Sequence, residues 1–329
     1  MHPPLYPFLS RERFESYLIH AMKWQREDIE TVSSLLEKSL IPLRDGTELA
    51  YYLGVSPRLI WHMVVASRQY YRHFEITQKN GKVRTIAAPR VFLKTVQRYI
   101  LDCIISLIPV SDAAHGFRKG RSCGSGALHH VGRPYIWNID IKDFFPSISQ
   151  EIVENVFRNI GYSDTAAGLL GGLCCLDRQL PQGAPTSPAL SNIIFHPYDQ
   201  RLSTLCQKAD LIYTRYADDL TFSALSPIPG ALQQEVVEML RQAGFQINRK
   251  KTRLMGSKCR REVTGLTVNE RVSIPRHRRR QIRALFHKAE DNPSAFAQRR
   301  SELIGTASWV FNYHPQEGRR YLEIANSIA

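Results

Sequence analysis

The chain has 329 residues, 43% of them hydrophobic, and carries 44 Lys and Arg against 30 Asp and Glu, a net charge of +14. That is enough apolar material for a core and more than one lobe, and the basic surplus favours a polyanionic partner, most often nucleic acid. Its six cysteines form no CxxC pair, which argues against a zinc site or disulfide scaffold. No signal pattern opens the chain and no apolar run nears the ~20 residues of a membrane helix, so a cytoplasmic protein with reduced thiols and no membrane contact is expected.

Residues 10 to 75 read as helical. Within them TELAYYLGVSPRLIWHMV resembles a helix-turn-helix, with Gly54 at the turn, Ser56 as a cap and Pro57 opening the second helix. Next, YYRHFEITQKNGKVRTIAAP predicts a hairpin with Asn80-Gly81 at its tip, decorated by Lys79, Lys82 and Arg84. Residues 91 to 108 predict an amphipathic helix that stops at Pro109. HGFRKGRSCGSG, 115 to 126, reads as a basic, glycine-rich loop suited to phosphate.

YIWNIDI predicts a buried strand with Asp140 near its end. Ser149 caps a helix that stops at Gly161, and a second helical region spans 165 to 176. LPQGAPTSP is a loop, and Ser187-Pro188 opens a long helix to about Lys208. TRYADDLTFS predicts a hairpin with Ala217-Asp218 or Asp218-Asp219 at its tip. A helix at about 229 to 243 ends at Gly244, FQINRKKTRL reads as a strand, and REVTGLTVNERVSI as a hairpin turning at Asn269-Glu270. From Arg276 the chain reads as helical and very basic. The order strand, helix, helix, hairpin, helix, strand is that of an α+β sheet domain.

Two adjacent carboxylates at a hairpin tip repel and resist ionisation unless solvent or a cation relieves them. Asp140, ending a neighbouring strand, would bring a third acid. Three acids with few neutralising residues make a site for a hard cation such as Mg²⁺, which takes a few carboxylates plus water and substrate phosphates. Two such ions ~3.5–4 Å apart suit an in-line phosphoryl displacement.

NIDIKDFFPSI, LPQGAPTSP, YADD within TRYADDLTFS, INRKKT and VTGL occur in the order found in reverse transcriptases. The resemblance covers roughly residues 70 to 329 and is closest to the bacterial retron enzymes, whose VTG signature matches Val263, Thr264 and Gly265. GALHH is similar to the retron NAxxH motif, keeping Ala127 and His130 while Gly126 replaces the asparagine. The resemblance implies an α+β right-hand polymerase with fingers, a ferredoxin-like palm and a helical thumb. The corresponding segments would be 1–70 (an N-terminal helical region), 71–133 (fingers), 134–258 (palm, with finger-linked helices at 161–180), 259–275 (a primer-grip hairpin) and 276–329 (thumb).

It also implies roles. Asp140, Asp218 and Asp219 would be the catalytic acids, holding two Mg²⁺, or Mn²⁺ in their place, with Ile141 beside them in the metal set. Lys82, Arg84, Asp143, Phe144, Phe145 and Gln182 would receive the deoxynucleotide, the Phe145 ring excluding a ribose 2′-hydroxyl. Lys251 would protonate the departing pyrophosphate, with Lys250 as competitor. Tyr216, Val263, Thr264, Gly265, Arg276, Arg279, Arg280 and Arg283 would hold primer and template, and Ala127 and His130 would take part in RNA recognition. Partners implied are dNTPs, an RNA–DNA hybrid, a cognate structured non-coding RNA copied from an internal 2′-hydroxyl, and a defence effector protein. The alternatives are another bacterial reverse transcriptase (group II intron-like, diversity-generating or defence-associated) and, from another class, a nucleic-acid-binding regulator using the helix-turn-helix-like segment.

Overall fold

The computed structural model describes residues 11–77, 81 and 83–328. They fall into two units built from alternating stretches: Met1–Phe117, Ile141–Arg201 and Met239–Ile247 in the first, and Arg118–Asp140, Leu202–Glu238 and Asn248–Ala329 in the second. The expected palm segment 134–258 is thus shared between the two.

In the first unit, short helices run to Val65. Helix Gly46–Leu53 ends on Gly54, which takes the left-handed conformation at φ 64°, and helix Pro57–Val65 starts behind Ser56, whose hydroxyl accepts from the Arg58 N–H. Gly54, Ser56 and Pro57 therefore do at this turn what their chemistry predicts. Strands β1 (Tyr71–Thr77) and β2 (Val83–Pro89) pair antiparallel from Tyr71↔Pro89 to Thr77↔Val83. Lys79, Asn80 and Lys82 lie outside the described residues. Helix Gln150–Ile160, capped by Ser149, buries Val153, Phe157 and Ile160, one face at helical spacing. Helix Asp164–Cys174 follows it. The N-terminal helices are tied to this pair by Lys38 Nζ on the Ile160 carbonyl, 2.6 Å, and by the Tyr162 hydroxyl on the Ile41 carbonyl, 2.8 Å.

The second unit holds a four-stranded antiparallel sheet in the order β4-β5-β3-β6, where β3 is Tyr135–Asp140, β4 Ile212–Tyr216, β5 Asp219–Ala224 and β6 Arg253–Met255. Both faces of β3, β4 and β5 are covered: Ile136, Ile139, Leu220 and Phe222 are at or near zero exposure, and so are the polar Arg215, Thr221 and Ser223. Helices Arg276–Asp291, Arg300–Phe311 and Pro315–Ser327 follow. Their core is centred on Phe286, stacked on Tyr321 with ring centroids 4.3 Å apart, and Leu303, Ala307 and Val310 are buried with them. Helices and antiparallel strands are mixed along the chain, which is the α+β class expected.

Three local expectations differ from what is observed. FQINRKKTRL is a strand only at Arg253–Met255; Lys251 and Thr252 instead donate their N–H groups back to the Asn248 carbonyl, folding NRKKT into a turn. The VTGL hairpin turns at Thr264-Gly265, not at Asn269-Glu270. Both residues have positive φ, 48° and 78°, as a two-residue hairpin turn requires. The Asn269 region forms a second loop closed by the Thr267↔Ser273 pair. The glycine-rich segment also contains a short helix, Cys123–Leu128, capped by Ser122. Among the described residues no helix is long and apolar enough to cross a membrane.

Candidate active site

The acids of the second unit are placed by strand register. β3 and β5 pair so that Asp140 lies directly opposite Asp219, and β4 and β5 pair so that Tyr216 lies opposite the same Asp219. Ala217 and Asp218 therefore form the hairpin turn, Ala217 with φ 56°. A left-handed alanine costs on the order of 1–2 kcal/mol, and the turn is braced from within: fully buried Arg215 donates from Nη1 to the Ala217 carbonyl at 3.1 Å. Like charges directly across a sheet are unfavourable. Here the conflict shows in the Asp219 carboxyl, raised from 3.8 to about 7 by burial first and then by Asp218 and Asp140.

Lys251 partly relieves it. The NRKKT turn starts with the Asn248 N–H on the Asp140 carbonyl, 2.8 Å, and carries the Lys251 ammonium to Asp140 Oδ2, also 2.8 Å. Both lysines are exposed, and of the two it is Lys251 that meets a carboxylate here. Asp140 Oδ1 remains buried and accepts no hydrogen bond. A buried unsatisfied acceptor beside a carboxyl held against ionisation fits a divalent cation, which would satisfy the first and let the second ionise. Among the described residues no three His, Cys, Asp or Glu side chains stand together so as to hold a metal ion. A Mg²⁺ site of one or two carboxylates needs no third, because water and substrate phosphates fill the remaining positions.

In the first unit, β2 and the LPQGAPTSP loop are joined. The Ala87 N–H donates to the Gln182 carbonyl at 2.9 Å. The approach is so close that a Cβ on Gly183, φ 136°, would stand 2.6 Å from the Ala87 carbonyl oxygen; only glycine fits there. Arg84 is exposed on this strand and Gln182 half-buried beside it. Asp143 takes φ 49° in a tight turn whose carbonyl accepts from the Ser147 N–H at 2.8 Å. The Phe144 ring is buried against Phe195 and Phe245. Phe145 is half-buried.

Several expected contact residues face inward. His130 is fully buried, with Nδ1 at 2.7 Å from Ser223 Oγ and Nε2 at 2.8 Å from Thr214 Oγ1. Ala127 has no exposure either. Both side chains are enclosed, and His130 ties the NAxxH-like segment to the hairpin strands β4 and β5. Val263 is likewise core. Thr264 spends its hydroxyl on the Cys123 carbonyl, 3.1 Å, which locks the VTG turn to the glycine-rich segment. Arg279 is paired with Glu317 and Arg278 lies over the Trp309 ring at 4.3 Å. Arg276, Arg280 and Arg283 are exposed, at spacings of four and three that align them on one helix face.

Two participants escaped the sequence reading. Arg215 sits in a strand position whose alternation marks it as inward, a signal that a buried cation normally contradicts. Phe117, in the basic loop, packs its ring 5.9 Å from that of Phe145, and nothing local in the sequence announces that pairing.

A family model described as reverse transcriptase (RNA-dependent DNA polymerase) matches residues 76–285. Retron Mx65 reverse transcriptase of Myxococcus xanthus is 35% identical over 304 residues, covering 84% of this chain and 70% of that protein. Retron Ec86 reverse transcriptase of Escherichia coli is 36% identical over 244 residues, 73% of this chain and 74% of that protein. Among solved structures, apo telomerase from Candida tropicalis aligns with 78% of this chain and 56% of its own at a TM-score of 0.47 and 11% identity.

Proposed function

The chain belongs to the retron-type reverse transcriptases, RNA-directed DNA polymerases, and from that premise we propose that it copies part of a cognate structured non-coding RNA into single-stranded DNA. Synthesis starts on an internal 2′-hydroxyl of that RNA and leaves a branched RNA–DNA product, which serves in anti-phage defence together with an effector protein. The observation that carries the polymerase assignment is the register that sets Asp140 opposite Asp219 with Asp218 in the adjoining turn.

The residues divide the work as follows. Asp140, Asp218 and Asp219, with the Ile141 carbonyl, would hold two Mg²⁺, or Mn²⁺ in their place; when bound, such ions favour the ionised attacking hydroxyl and neutralise charge on the triphosphate. Lys251 is the proton donor to departing pyrophosphate. Its ammonium is already fixed on Asp140, and a positioned acid of this kind contributes ~10²–10⁴-fold. Arg84, with Lys82, binds the triphosphate, the backbone of Asp143 and Phe144 supports it, and Gln182 meets the sugar. The Phe145 ring fills the volume that a ribose 2′-hydroxyl would need. Tyr216 meets the primer end. Arg276, Arg280 and Arg283 grip phosphates of the hybrid without reading sequence.

The test is to recover the nucleic acid that co-purifies with the chain from its native host. It is treated with RNase, DNase and a debranching enzyme, with Asp218→Asn/Asp219→Asn as control. A discrete DNA joined to RNA through a 2′ linkage and absent from the control is the expected result. Unbranched or heterogeneous DNA would move the chain to another class of bacterial reverse transcriptase. DNA present equally in the control would overturn the catalytic assignment.

A further inference from the structure

Phe117 has a backbone conformation that its own burial does not explain. Its φ is 59°, a region that bulky L-residues rarely occupy, yet the residue is 47% exposed. Strain of this kind persists only where the surroundings enforce it, and here they do. The preceding His115 is buried at 1% exposure. The Gly116 carbonyl accepts from the buried Asn192 side chain at 2.9 Å. The loop is thus pinned one residue before Phe117, and the left-handed turn directs its ring outward rather than into the core.

The ring comes to rest beside Phe145, centroids 5.9 Å apart and planes at 33°. On its other side Phe145 meets Phe144 at 5.8 Å and 32°, and Phe144 is anchored in turn on Phe195 at 5.9 Å. Phe145 therefore stands between Phe144, which is anchored in the core, and the exposed Phe117. Removing the Phe117 ring takes away one of the two aromatic neighbours that hold Phe145 and loosens its χ1 setting.

We propose that Phe117 is a specificity-determining positioning residue: its strained, outward ring clamps Phe145 in the orientation that rejects a ribose 2′-hydroxyl. The inference rests on the reading of Phe145 as the sugar-discriminating ring. A loosened gate admits ribonucleotides while leaving the fit of a deoxynucleotide less affected, so the quantity to follow is the ratio of kcat/KM for dNTP to that for the matching rNTP.

The experiment compares Phe117→Asn, Phe117→Tyr, Phe145→Ala and the double variant Phe117→Asn/Phe145→Ala on a primed RNA template. Asparagine tolerates the left-handed region, so Phe117→Asn removes the ring while keeping the loop geometry; a thermal melt of each variant confirms folding. The expected result is a fall in the ratio of roughly 3–10-fold for Phe117→Asn, the size of one aromatic pair. Phe117→Tyr should restore the ratio, Phe145→Ala should lower it further, and the double variant should match Phe145→Ala. If Phe145→Ala lowers the ratio but Phe117→Asn does not, or lowers both substrates equally, the clamp is overturned and the gate stands. If Phe145→Ala leaves the ratio unchanged, the gate reading fails and the clamp with it.

Discussion

Asp140 and Asp219 face each other across two hydrogen-bonded strands, and the fold keeps them there against their own repulsion. Neutralising one of them should therefore separate stability from activity. Asp219→Asn is expected to raise the melting temperature of the metal-free protein, by at most about 2–4 °C per kcal/mol since the shift shrinks with chain length, while abolishing deoxynucleotide incorporation. Calorimetry and a primer-extension assay on one preparation decide it. A lower melting temperature would mean that the pair is not a source of strain.

The same pair gives the metal-free protein a pH dependence. The Asp219 carboxyl has an ordinary value of 3.8 and titrates in the fold at about 7. Between those values the folded chain holds a proton that the unfolded chain has released, so stability falls as pH rises through the window and levels off above it. Urea midpoints at about pH 5 and about pH 7.5 should differ in that direction, and the difference should shrink in Asp219→Asn.

Lys250 and Lys251 are neighbours with unlike surroundings. Lys251→Gln is expected to slow single-turnover incorporation by ~10²–10⁴-fold, and Lys250→Gln to change it several-fold at most. Equal losses would deny Lys251 its special role.

His130 is a packing residue with two hydroxyl partners. His130→Ala leaves Ser223 and Thr214 unpaired in the interior, at a cost of about 1–3 kcal/mol for each group left unsatisfied. Denaturant unfolding should register that loss. RNA affinity measured per folded molecule should hold, because the side chain is enclosed.

Along helix Arg276–Asp291, Arg280 is exposed and Arg279 is engaged by Glu317. Arg280→Ala should weaken binding to an RNA–DNA hybrid and reduce the slope of log affinity against log salt by about 0.7–0.9, one phosphate contact. Arg279→Ala should leave that slope in place and lower thermal stability instead.

Much of this was legible beforehand, for definite reasons. Gly54, Ser56 and Pro57 punctuate helices through backbone chemistry that operates within a few residues. The three acids stood out because clustered carboxylates resist ionisation unless solvent or a cation relieves them, whereas the close approach that requires Gly183 became visible only with Ala87 in place. The rest depended on partners far along the chain. Thr264-Gly265 took the hairpin turn from Asn269-Glu270 because the Thr264 hydroxyl has a carbonyl to bond, that of Cys123. NRKKT left its strand because Asn248 and Lys251 both engage Asp140. His130 and Val263 read as contact residues from their motifs and proved to be interior, since a motif records that a position is constrained and not by what.

The turn at Ala217-Asp218 has no spare residue. Its two members join β4 directly to β5, and strand side chains alternate between faces. A single codon inserted or deleted there would turn Asp219 away from Asp140 along with every later position of β5, whereas substitutions leave the alternation untouched. Libraries that diversify this enzyme by insertion and deletion should thus return nothing active from the TRYADDL segment, even where they vary freely in the exposed loops.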